Sequence, residues 1–99
     1  MSADERTWKG LVARVPCVLC ARMGIDDSPS EVHHLKYGSG ACNETSDFLT
    51  IAVCTQHHRV EYPHSIHRLK EHGLYQMYKC SELDLLADTI RGVLGMMRM

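Results

Sequence analysis

Two pairs of adjacent histidines, His33 with His34 and His57 with His58, fall inside one stretch, EVHHLKYGSGACNETSDFLTIAVCTQHH, with Cys54 just ahead of the second pair. Imidazole and thiolate bind first-row metals, and imidazole also moves protons near neutral pH, so such packing calls for a chemical reason. Upstream, Cys17 and Cys20 in PCVLC present two sulfurs from one tight turn, as a zinc knuckle does. A closed tetrahedral site needs a second pair, and Cys54 with His57 repeats the same spacing. Cys17, Cys20, Cys54 and His57 are therefore expected to hold a structural Zn²⁺. Cys42 and Cys80 are reserve ligands at most, and a thioredoxin-like redox role for PCVLC lacks the βαβ pattern it would need.

If His57 closes that site, His58 is turned by roughly 100° around its helix and is free for a different role. Catalytic metals keep positions open for water and substrate, so two or three histidines around an open site suit hydrolysis. One further histidine must stay unligated to act as base. Neighbouring residues on a strand point to opposite faces, so His33 and His34 divide naturally into one ligand and one base.

The elements that must position these groups can be read in turn. Ser2 is an N-cap for a helix over residues 3–15, with Asp4 and Glu5 in its first turn and Trp8, Leu11, Val12 and Val15 on one face. Arg6, Lys9 and Arg14 lie on the other side, either as a solvated basic face or as contacts to a phosphate backbone. Residues 31–35 and 50–53 read as short strands, and the Gly-containing loop at 37–46 is expected beside the substrate. Thr55 should cap a two-turn helix that stops before Pro63, and HSIHRLKEHG should form a short helix closed by Gly73. Ser81 and Asp84 open a final amphipathic helix over residues 83–97, with Leu83, Leu86, Ala87, Ile90, Leu94 and Met97 on the face expected to pack over the metal module.

Composition narrows the class. A chain of 99 residues makes one domain, residues 1–99, and with one Phe and one Trp its core is thin enough to need a staple. The absence of a long apolar run or a signal-like start predicts a soluble intracellular protein with no membrane partner. In a reducing compartment five cysteines favour metal ligation over disulfides. A formal net charge of −1 gives no global basic signature, although bound divalent ions would make a site locally positive.

The series PCVLC, VHHL and SDFLTIAVCTQHH resembles the HNH, or ββα-metal, nucleases with zinc-knuckle support. The ending SELDLLADTIRGVL is similar to that of the phage-encoded RecA-dependent nuclease (recombination-enhancement) family. The resemblance implies a small α+β ββα-metal (HNH) zinc-knuckle domain with an N-terminal helix and a C-terminal packing helix. It further implies His33 as the first metal ligand, His34 as general base, His58 as the helix ligand and His67 as a residue completing the metal site. The implied activity is single-metal, metal-dependent endonuclease cleavage of DNA in phage recombination or DNA processing. That places the protein in the cytoplasm of a bacterial or phage-infected cell, with a recombinase filament as a possible partner. The catalytic ion could be Mg²⁺, Mn²⁺, Ni²⁺ or Zn²⁺. Two departures stand out: His57 occupies a position where the family usually has Cys, and the middle Asn of the HNH name is missing before Cys54, with Asp47 nearby to orient the loop or the base instead. The rival reading is a non-catalytic zinc module that binds DNA or a recombination protein.

Overall fold

The computed structural model describes residues 2–35 and 46–98. Cys42 and nearly all of the expected substrate-side loop lie outside them. Ser2 caps α1 (Ala3–Val12) in a full capping box with Glu5. The helix ends three residues earlier than expected, because residues 14 and 15 tighten into i→i+3 hydrogen bonds before Pro16. Val15 is nevertheless buried beside Val12, so the predicted apolar face holds.

The knuckle is more than a turn. Cys17 is the N-cap of α2 (Val18–Arg22), its sulfur accepting from the Cys20 N–H at 3.3 Å. Strand β1 (Glu31–His34) pairs antiparallel with β2 (Thr50–Val53), setting His33 opposite Ile51 and His34 opposite Thr50. All of β2 is buried. Its Ala52 N–H donates to the Thr89 hydroxyl at 3.2 Å, which in turn donates to the Leu85 carbonyl, so a helix side chain satisfies a strand edge that would otherwise be an orphan donor.

Three helices differ from expectation. Helix α3 (Thr55–His58) stops after one turn, short of residue 62, and its N-cap is Cys54 rather than Thr55. Helix α4 (Ile66–Tyr78), capped by Ser65, runs through Gly73 and ends on Lys79 in the left-handed conformation. Gly73 serves close packing instead of termination: a Cβ there would lie 3.1 Å from Leu69 Cβ. The break in α4 falls at Lys70. Helix α5 (Glu82–Met97) starts at the expected Ser81–Asp84 capping box but buries another stripe, Leu85, Thr89 and Val93, leaving Leu83, Ile90, Leu94 and Met97 exposed. Its rotation is set by the Thr89 hydrogen bond and by Gly92, where a Cβ would stand 2.7 Å from Val15 Cγ1. The C-terminal helix thus packs on β2 and the first two helices, as an α+β zinc-knuckle domain requires. No helix among the described residues is long and apolar enough to cross a membrane.

Glu5 joins α1 to the site. Beyond its capping bonds, its Oε2 accepts from the Asp47 N–H at 2.9 Å and from the Ser46 hydroxyl at 3.0 Å. The Asp47 amide first, then the Ser2 amide and the Ser46 hydroxyl, hold the Glu5 carboxyl down at about 2. A lowered carboxylate stabilises the fold above its unfolded pKa, roughly 4.3, and the stabilisation is lost as pH falls through about 2. The melting-temperature gap between parent and Glu5→Gln should accordingly be constant above pH 5 or so and close toward pH 2. A gap independent of pH would refute the role of this charge.

Candidate metal centres

The knuckle helix, the end of β2 and the single turn of α3 bring Cys17, Cys20, Cys54 and His57 together. His57 Nδ1 lies 3.6 Å from Cys17 Sγ, 3.5 Å from Cys20 Sγ and 3.3 Å from Cys54 Sγ, and the sulfurs of Cys20 and Cys54 are 3.8 Å apart. Zinc–sulfur bonds of about 2.3 Å and zinc–nitrogen bonds of about 2.0–2.1 Å put tetrahedral S···S edges at about 3.8 Å and S···N edges at about 3.6 Å. The donor set therefore fits a metal such as zinc in both chemistry and spacing. Burial pushes the Cys17 thiol up to about 12, so its thiolate forms at neutral pH only beside a cation. Burial also lowers the pKa of His57, with the charge of His64 adding to it, which favours the neutral imidazole a metal needs. Tyr78 stacks edge-on against that imidazole at 5.9 Å. Cys80 is buried and stands outside the cluster.

A second group lies on the other side of α3. His33, His58 and His67 form a near-equilateral triangle, with ring centroids 5.2, 4.9 and 5.1 Å apart. Their ligand atoms lie within 4.8 Å of one another. His33 is buried, His58 half-buried and His67 exposed, so one side of the group is open to solvent. Two carboxylates orient the rings. His33 Nε2–H donates to Glu82 Oε2 at 2.9 Å from the first turn of α5, and His58 Nδ1–H donates to Glu31 Oε1 at 2.8 Å. Arg59 and then His58 hold the Glu31 carboxyl down at about 2. These bonds fix the tautomers and leave His33 Nδ1 and His58 Nε2 with their lone pairs. His33 Nδ1 is buried without a hydrogen-bond partner among the described residues, a deficit that a bound cation would remove.

His34, on the opposite face of β1, belongs to neither group. Its Nε2–H donates to Asp47 Oδ1 at 2.6 Å, and its side chain is 40% exposed. An ionised carboxylate only accepts, so the proton sits on Nε2 and the free lone pair on Nδ1. His34 opens with His33, His67, Ile66, Lys70 and Glu82 onto one cleft of about 150 Å³.

The family model for recombination enhancement, RecA-dependent nuclease matches residues 1–90. The chain belongs to this nuclease family. Neither a curated protein nor a solved structure matches it. Sequence reasoning brought every expected ligand to one of the two groups but missed the carboxylates behind them. Glu31 was within reach of it, since it precedes His33 by two strand positions and shares its face. Glu82 and Glu5 carried no such signal, because their partners lie far away in the chain.

Proposed function

We propose that this RecA-dependent nuclease family member is a metal-dependent DNA endonuclease of HNH type, with His34 as general base. The observation that carries this reading is that His34, held by Asp47, lines the same cleft as His33 and His67 of the histidine triangle. Asp47, itself clamped by Glu5, holds the His34 ring so that Nδ1 can take a proton from water. The water oxygen then bonds to phosphorus as the bond to the 3′ oxygen breaks, and that oxygen takes up a proton from solvent. His33, His58 and His67 would hold a divalent cation, which supplies Lewis-acid stabilisation of charge on the phosphoryl oxygens. Cys17, Cys20, Cys54 and His57 would hold zinc as a structural staple.

A surface feature supports DNA as substrate despite the formal net charge of −1. A groove of about 640 Å³ runs beside His34, lined by Arg6, Lys9, Gly10, Ala13 and Val32. Among the described residues neither Arg6 nor Lys9 makes an ion pair, and Glu5 on the same helix is turned toward Asp47. Two cations beside the base suit the phosphates flanking the scissile bond.

Plasmid and single-stranded DNA, bare and coated with RecA, incubated with each divalent metal and with chelator, test the activity. Metal-dependent cleavage is expected; binding without cleavage under every condition would leave the non-catalytic module as the better reading. Replacing both Arg6 and Lys9 by Gln should reduce the slope of log affinity against log salt by about 2 on duplex DNA. An unchanged slope would remove the groove from the binding surface.

A further inference from the structure

We propose that Lys70 is a catalytic residue whose ammonium stabilises the charge that develops on the phosphate as it is cleaved. The proposal rests on the nuclease reading and adds to it a group outside the histidines and their carboxylates. Lys70 lines the cleft that His33, His34 and His67 share. Its backbone has φ 59° and ψ −172°, which breaks α4 between the turn carrying His67 and the turn leading to Tyr78. That combination belongs to a region almost confined to glycine, and such strain persists only where the surroundings enforce it. They do so here, because Ile66 and Leu74 are buried on either side of the break and hold both halves of the helix to the core.

A linker with no other task would be served better by glycine at this position. A lysine offers a point charge instead, the form of cation suited to phosphate oxygens. Among the described residues Lys70 makes no ion pair, and the one carboxylate lining the cleft, Glu82, is hydrogen-bonded to His33. The cleft thus brings a base, two histidines of the triangle and a cation around a space open to a phosphodiester. A charged group positioned where charge develops acts on the transition state more than on the ground state.

The test compares cleavage and melting in the full-length protein carrying Lys70→Met, Lys70→Arg and Lys70→Gly. Lys70→Met should lower kcat by about 10²- to 10³-fold at nearly constant KM and leave the melting temperature unchanged. Lys70→Arg should restore part of the rate. Lys70→Gly should lose the rate as well and melt at a higher temperature, since it removes the strain together with the charge. Parental cleavage by Lys70→Met overturns the role, as does a Lys70→Gly protein that melts lower and a Lys70→Arg protein that rescues nothing. A parental protein that cuts no DNA in any metal defeats the nuclease reading and this proposal with it, an outcome distinct from failure of the Lys70 variants alone.

Discussion

Cys20→Ser is expected to yield a chain without a cooperative thermal transition. Cys20 is buried in the four-ligand cluster, 3.5 Å from His57 Nδ1 and 3.8 Å from Cys54 Sγ, where a hydroxyl is a poor substitute for a thiolate. The cluster joins α2 to β2 and α3 across a core that, among the described residues, contains no fully buried aromatic side chain. Structural zinc contributes on the order of 10 kcal/mol in small modules, while a domain's whole stability is about 5–15 kcal/mol. Removing the staple therefore consumes most or all of the margin. Circular dichroism melts, with and without a strong chelator, and metal analysis of the purified protein check this. A folded, metal-free protein in chelator would refute it. His57→Ala should share the defect, whereas His58→Ala should fold and fail to cut.

His34→Ala should fold, retain both metals and lose cleavage by about 10²- to 10⁴-fold, or roughly 3 to 5 kcal/mol of barrier. The side chain is 40% exposed and belongs to neither ligand cluster. Asp47 keeps its backbone bonds to Glu5 and Thr50 without it. DNA affinity should stay near the parental value, and added imidazole should restore part of the rate by supplying the missing base. A His34→Ala protein that cuts at the parental rate ends the base assignment. One that loses a metal makes His34 a ligand.

Much of the site was legible because metal chemistry leaves regular marks. The paired spacing of Cys17 with Cys20 and Cys54 with His57 is a geometric demand of tetrahedral ligation, and the strand period separates His33 from His34. Both strands, the Ser2 N-cap and the Ser81–Asp84 capping box followed from equally local rules. The rotation of α5 did not, since the helix carries two apolar stripes and the one with more leucine and isoleucine reads as the core. Thr89 decides in favour of the other, through a hydrogen bond to a strand edge that no helical period reveals. Gly73 misled for a related reason: the helix needs its missing Cβ for Leu69, while the left-handed positions fall to Lys70 and Lys79. Tertiary demand overrode local preference at these points.

The single turn of α3 carries His57 to one cluster and His58 to the other. One residue added between Cys54 and His57 would turn everything beyond it by about 100°, sending each imidazole away from its own group. Lengthening elsewhere on the surface costs little loop entropy, but here it would dismantle both ligand groups together. Among natural relatives this segment should therefore vary in residue type and keep a fixed length.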